Sequence, residues 1–315
     1  MSILKTPKRI LKVFNPDSRF MWLGRHGFYN NMPDEEFLKR YYKAVFGKEL
    51  NLANPQTFSE KLQWLKLYNR KPEYTVMADK YEAKKYVADR IGEEYIIPTY
   101  GVWDHFDDID FQSLPDSFVL KCTHDSGGVI ICKDKNKLDK KAAKKMLEKC
   151  LKRNFYYVYR EWQYKNIKPR IIAEKLMEDS STKELRDYKF FTFSGVAKAL
   201  FIASDRQDPT QDTKFDFFDM DFNHLDFRNG HPNATVAIEK PVCFDEMRRL
   251  AEVLSQGIPH VRVDFYEVNG KVYFGELTFA HWSGLVPFEP EEWDKTLGDW
   301  LQLPQKQIGK QEQMT

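Results

Sequence analysis

HVRVDFYEVNGKVYFGELTF, residues 260–279, alternates apolar and polar side chains on both sides of Asn269-Gly270, the dipeptide favoured in tight hairpin turns. Alternation puts Arg262 and Asp264 on one face of the first strand, and Glu276 and Thr278 on one face of the second. A strict two-residue turn would pair Asp264 with Gly275 and send Glu276 to the opposite face, whereas a one-residue offset pairs Asp264 with Glu276. The offset is expected here. Carboxylates on strands this apolar need a compensating partner, because burying a bare charge is costly. Magnesium, which takes hard oxygen ligands, fits two carboxylates on paired strands; a hairpin with a solvated polar face is the other reading.

Upstream, lysines sit inside equally apolar runs: Lys121 in FVLKC and Lys189 in DYKFF. A cation there calls for an anion, and phosphate is one. The loop after Lys121 ends Ser126-Gly127-Gly128, which reads either as a nest of backbone N–H groups for a phosphate or as a bare turn. Glu174 closes RIIAE, where a carboxylate suits a ribose hydroxyl or an adenine amino group.

The remaining texture is α+β, built on antiparallel sheets. Residues 1–110 are expected to be mostly helical. A Thr57–Glu60 capping box opens one helix, and a second runs from Thr75 through Met77, Tyr81, Lys84 and Val87 to a C-cap at Gly92. Strands separated by turns follow from Phe118 onward, with helices near 139–153 and 244–256. A polar tail at 304–315 is expected to be disordered.

Composition narrows the function classes. Lys and Arg total 49 against 47 Asp and Glu, so no global field draws the chain to nucleic acid. The 24 Phe, 16 Tyr and 7 Trp are read chiefly as core. Four cysteines show no CxxC spacing and seven histidines no HExxH, so a protein-ligated zinc is not expected. Near the start, Lys5, Lys8, Arg9 and Lys12 lie among apolar residues, a pattern suited to an anionic membrane surface or to packing on the domain itself. With no run of 18 apolar residues and no signal-peptide pattern, the chain is expected in the cytoplasm, possible contact at the inner membrane face apart.

Taken in order, DKY with Lys80, FVLKCTHDSGG with Lys121, RIIAEKLM with Glu174, DYKFFTFSG with Lys189, and RVDFY followed by YFGELTF with Asp264 and Glu276 resemble the ATP-grasp ligases. Within them the chain is similar to the TupA-like group associated with teichuronopeptide and other surface polysaccharides, over residues 54–300. The resemblance implies an ATP-grasp fold whose two α+β lobes, a small one at 111–177 and a large one with the metal site at 178–303, clamp ATP. Lys80, Lys121 and the Ser126, Gly127, Gly128 loop would hold phosphates, Glu174, Lys175 and Leu176 would face adenine and ribose, and Lys189 would contact the triphosphate. Asp264 and Glu276 would bind Mg2+, with Thr278 where the family usually has Asn. Arg262 and Lys189 would stabilise charge during catalysis. His281, Ser283 and Gly284 would face substrate in place of the family's Pro-Gly.

The implied reaction joins an amine or amino acid to a carboxylate, here one on a surface glycan or its precursor. A metal-dependent glycosyltransferase, with Asp219 and Asp221 as a DxD pair, is the rival reading, and an inactive ATP-grasp scaffold is another.

Overall fold

The structure, a computed structural model, describes residues 15–180, 185–205 and 212–306. The basic amphipathic segment at the start and nearly all of the polar tail lie outside the described residues. Helices come first: α1 (Pro16–Arg25), α2 (Asp34–Phe46), α3 (Phe58–Tyr68), α4 (Glu73–Ala78) and α5 (Glu82–Ile91). The capping box at α3 is complete, since the Thr57 hydroxyl accepts from the Glu60 N–H and the Glu60 carboxylate accepts from the Thr57 N–H.

The single helix expected between Thr75 and Gly92 is instead α4 and α5, broken at Asp79. Two attachments outside the helix explain the break. Asp79 turns its carboxylate to the Tyr81 N–H at 2.9 Å and to Arg170 at 2.7 Å. The Lys80 N–H leaves the helical ladder for the Thr123 carbonyl.

A small sheet follows, from β1 (Thr99–Trp103), β2 (Phe118–Cys122), β3 (Ile130–Cys132) and, after helix α6 (Lys140–Leu151), β4 (Ile171–Glu174). Its strand order is β1-β4-β2-β3. Thus β1, on the N-terminal side of position 110, belongs to this sheet. Phe118, Leu120, Cys122, Ile171 and Ala173 pack on Ala143 and Leu147 of α6.

The large sheet gathers β5 (Asp187–Phe193), β6 (Val196–Ser204), β7 (Lys214–Phe218) and β8 (His224–Leu225). After β9 (Arg228–Asn229) and α7 (Phe244–Leu254), the hairpin β10 (His260–Val268) and β11 (Lys271–Thr278) completes it in the order β11-β10-β5-β6-β7-β8. A short β12 (Phe288–Glu289) pairs with β9, and α8 (Glu292–Trp300) follows. Every pair among these strands is antiparallel.

Helices cover both faces of the large sheet, which is why β5 is buried along its whole length. On one face Phe190, Leu200, Val261 and Val263 meet Phe244, Met247 and Leu250 of α7 and Met77, Ala83 and Val87 of α4 and α5. On the other, Phe191, Phe193, Phe201 and Phe217 meet Phe58 and Leu62 of α3 and Leu297 of α8. Much of the aromatic content therefore packs the core. The N-terminal helices are integral to it.

Where α8 crosses the start of α3 the backbones nearly touch. A Cβ at Gly298 would lie 2.3 Å from the Gln56 carbonyl oxygen and 2.9 Å from the Phe58 nitrogen. Gly298→Ala should therefore cost about 1–3 kcal/mol, read in urea unfolding as a lower midpoint at unchanged slope.

Candidate active site

Burial alternates along β2, so that Phe118, Leu120 and Cys122 face α6 and Lys121 faces away from it. Lys121 pairs across the sheet with Ile172, which puts its side chain on the same face as Glu174. Its ammonium reaches Glu174 Oε2 at 2.5 Å, and Lys84 of α5 reaches Oε1 at 2.7 Å. Burial works to raise the Glu174 carboxyl, but Lys121 and Lys84 outweigh it and hold the group below the usual carboxylate range.

The Asp79 break aims Lys80 at the loop beyond β2, where its ammonium donates to the Asp125 carbonyl at 2.6 Å. Asp125 is fully buried and held by Arg153 through contacts of 2.7–3.1 Å, while its carboxylate accepts from the Ser126 N–H at 2.8 Å. Gly127 and Gly128 follow with φ of +105° and +64°, conformations that glycine adopts without strain. The loop is thus fixed at its base and bare at its tip.

On the large sheet the hairpin has the expected offset. Its turn is a tight Asn269-Gly270 pair, and a bulge at Gly275 shifts the register so that Asp264 faces Glu276 and Arg262 faces Thr278. The neighbouring strand sets Lys189 beside Asp264. Arg262 grips Asp264 with Nε to Oδ1 and Nη2 to Oδ2, both at 2.7 Å, and donates to the Thr278 hydroxyl at 3.1 Å. Lys189 bonds Asp264 as well, and Asp187 at 3.1 Å. The sheet face that buries Phe191 and Phe193 under α3 therefore carries these charges farther along the same strand.

The two sheets meet at Glu276. Burial pushes its carboxyl up, yet Lys189, Lys80, Arg262 and Lys121 together hold it down at about 2. Two of those cations come from the large sheet; Lys121 comes from the small one and Lys80 from the segment bonded to its loop. Glu276 keeps 41% of its side chain open, against 2% for Asp264, so it is the carboxylate better placed to take a further ligand.

The structure thus gathers Lys80, Lys121, Glu174, Lys189, Arg262, Asp264, Glu276 and Thr278, with Ser126, Gly127 and Gly128 on the loop that Lys80 touches. Lys175 and Leu176 continue from the end of β4, where the Lys175 N–H bonds the Pro98 carbonyl. Among the described residues no group of three or more His, Cys, Asp or Glu side chains is arranged to hold a metal ion. Asp264 and Glu276, with the Thr278 hydroxyl, supply hard oxygens on one face, of the kind magnesium accepts alongside phosphate oxygens.

His281, Ser283 and Gly284, expected to face substrate, are all buried. His281 has both ring nitrogens engaged, by Arg262 and Asn229, and Ser283 donates its hydroxyl to buried Glu161 at 2.5 Å. Gly284 lies against Leu62 and Gln63 of α3. Left-handed backbone at Trp282 and Ser283 folds the segment inward, where Lys66 and Gln63 bind the Ser283 carbonyl at 2.6 and 3.1 Å. Only Trp282 stays exposed.

Asp219 and Asp221 lie in the turn between β7 and β8, where the Asp219 carboxylate accepts from the Asp221 N–H and from Asn223. Residues missed in the sequence include Lys84, Asp187, Glu161 and Asn229. Lys84 lies four positions after Lys80 and Asp187 two before Lys189 on a strand, spacings that could have found them. Glu161 and Asn229 carry no local signal.

Two antiparallel sheets whose lysines and carboxylates meet across their junction form an ATP-grasp fold. Residues 60–302 match the family model for TupA-like ATPgrasp, and the chain belongs to that family. No curated protein matches it in sequence. Similar solved structures include D-alanine–D-alanine ligase from Bacillus anthracis complexed with ATP, at 16% identity and TM-score 0.38, covering 65% of this chain and 55% of that one. The Helicobacter pylori D-alanine–D-alanine ligase is 15% identical with TM-score 0.42, covering 78% and 69%. The ATP-grasp ligase PsnB, complexed with a phosphomimetic variant of its minimal precursor, Mg and ADP, is 12% identical with TM-score 0.43, covering 88% and 72%. The matched part of this chain thus spans little more than half of the Bacillus anthracis ligase.

Glu174→Gln leaves Lys84 and Lys121 without their counter-charge. At pH 7 the loss should be about 3–5 kcal/mol, the scale of breaking a buried ion pair. The folded pKa of Glu174 is depressed, so the wild-type advantage is complete above the unfolded value near 4.5 and fades as pH falls through the folded one. Unfolding free energies of both proteins, measured from neutral to acid pH, should converge at the acid end.

Proposed function

We propose that the chain is an ATP-dependent carboxylate–amine ligase. The observation that carries this reading is the charge set around Glu276, where Lys80, Lys121, Lys189 and Arg262, drawn from both sheets, act on one partly open carboxylate. Such a site suits a polyanion with a bound cation. Burial pushes the ammonium groups of Lys80 and Lys189 below the usual lysine range, so an anion that offsets the cost of their burial is favoured there.

In this reading Lys80, Lys121 and the N–H groups of Ser126, Gly127 and Gly128 hold the phosphates. Glu174, Lys175 and Leu176 face adenine and ribose, and Lys189 binds the triphosphate. Asp264 and Glu276, with Thr278, hold magnesium, which when bound neutralises charge on the phosphate oxygens. Arg262 and Lys189 release Asp264 to do so and turn to the reacting groups. A substrate carboxylate oxygen attacks the γ-phosphorus, the bond to the β-phosphate oxygen breaks, and ADP leaves an acyl phosphate. An amine then attacks the acyl carbon, inorganic phosphate departs with the C–O electron pair, and the amine loses a proton to leave an amide. Arg262 stabilises the tetrahedral oxyanion between these events.

The finer reading is that the amine or amino acid joins a carboxylate of a surface polysaccharide or its precursor, in the cytoplasm. It is supported by the resemblance to the TupA-like group. No helix among the described residues is long and apolar enough to cross a membrane.

Calorimetry with magnesium and ATP tests the core of the proposal. Wild type should bind ATP, Lys121→Ala should lose at least about tenfold in affinity, and UDP-sugars should give no heat. Binding of a UDP-sugar without ATP would sink the ligase reading. ADP release with uronic acids and amino acids then identifies the substrate pair.

A further inference from the structure

We infer that His281 aims Arg262, and that it can do so because Asn229 dictates which of its ring nitrogens carries the proton. The role of Arg262 rests on the ligase reading above; the relay itself rests on geometry. Asn229, on β9, donates its amide nitrogen to the carbonyl oxygens of Val286 and Pro287, each at 3.0 Å. With both amide protons used, the side chain presents only its oxygen to His281, 2.9 Å from Nε2. An amide oxygen can only accept, so Nε2 is the protonated nitrogen. A neutral imidazole has one N–H, so Nδ1 carries a free lone pair, and Arg262 Nη1 donates to it at 2.8 Å.

The opposite tautomer would set two acceptors against each other at Asn229 and two donors against each other at Arg262. The imidazolium would also oppose a donor to Arg262. The surroundings select the neutral ring: burial, then Arg262 and His260 of β10 and Lys189 of β5, hold His281 well below the usual histidine range. Phe191 and Phe201 pack on the imidazole at centroid distances of 4.9 and 5.3 Å and leave it little room to turn.

Arg262 is then fixed through separate nitrogens: Nε and Nη2 by Asp264, Nη2 by Thr278, and Nη1 by His281. When Asp264 turns to a cation, the first of these anchors is surrendered. The ligase reading gives the Thr278 hydroxyl to the same cation, so His281 is the one of these three anchors that stays, keeping the guanidinium pointed along the hairpin face. Buried, with both ring nitrogens engaged inside the protein, it acts through Arg262 and is a positioning residue.

Two variants and one spectrum test this. His281→Asn keeps an acceptor close to the Nδ1 position, and His281→Leu fills similar space without one. In histidine-labelled wild type, long-range 15N–1H correlation spectra should show a neutral Nε2–H ring, assigned by its loss in His281→Asn. Slowly exchanging Arg262 guanidinium protons should survive in the Asn variant and vanish in the Leu variant. With magnesium-ATP, glucuronate and glutamate as probe substrates, His281→Leu should lower kcat for ADP release about 100-fold, with KM for ATP within about twofold. His281→Asn should recover to within about tenfold of wild type. An Nδ1–H ring or an imidazolium in wild type would overturn the relay, as would equal losses in the two variants or an unaffected Leu variant. Absence of ADP release from wild type would count against the ligase reading instead, and the spectra would still decide the relay.

Discussion

Side chains on a strand repeat every two residues, so one extra residue on β11 decides which face its carboxylate takes. Gly275 is that residue. Through the Asn269-Gly270 turn the pairing is regular up to Phe265 and Phe274, and only beyond it does the bulge bring Glu276 opposite Asp264. Gly275 lies tight against the backbone there, since a Cβ would come within 3.1 Å of the Asp264 carbonyl oxygen. Without the bulge, Asp264 would hold Lys189 and Arg262 alone, and Glu276 would point to the sheet's other face among Val263, Phe265 and the α7 core. The meeting of charges from both sheets depends on this irregularity.

Those charges are costly to bury, and their arrangement shows how the cost is met. Glu174 takes two lysines, Asp264 takes Arg262 and Lys189, and Asp125 takes Arg153, so each of these buried carboxylates has a cation at hydrogen-bonding distance. Glu276 differs: Arg262 stands 3.4 Å away, and its low pKa comes from cations distributed around it. Buried ion pairs seldom add stability over an apolar replacement. What they do here is hold several lysines in fixed places near Glu276.

Much of this was legible in residue order. The hairpin register followed from the turn dipeptide and from the mismatch between a strict turn and two carboxylates that belong on one face. Lys121, Glu174 and Lys189 stood out as charges inside apolar strands, and the structure places all three at the junction. The break at Asp79 was not legible, because its causes, Arg170 and the Thr123 carbonyl, are remote in sequence. The same holds for His281, Ser283 and Gly284, whose burial no local pattern announced. Lys66 and Gln63 of α3, more than two hundred positions away, draw that segment inward. At Asp219 the carboxylate instead serves a purely local turn.

The kink at Asp79 and Lys80 has a mechanical meaning. Just after it, Ala83 and Val87 anchor α5 in the core of the large sheet. Lys80 itself is tied at both ends to the loop of the small sheet, its N–H to Thr123 and its ammonium to Asp125. The kink is therefore a tie rod between the two bodies. If one sheet swings away, the loop must travel with α5 or give up both bonds at once. Gaping of the molecule and lifting of the 123–128 loop are in this way geared together as a single stroke.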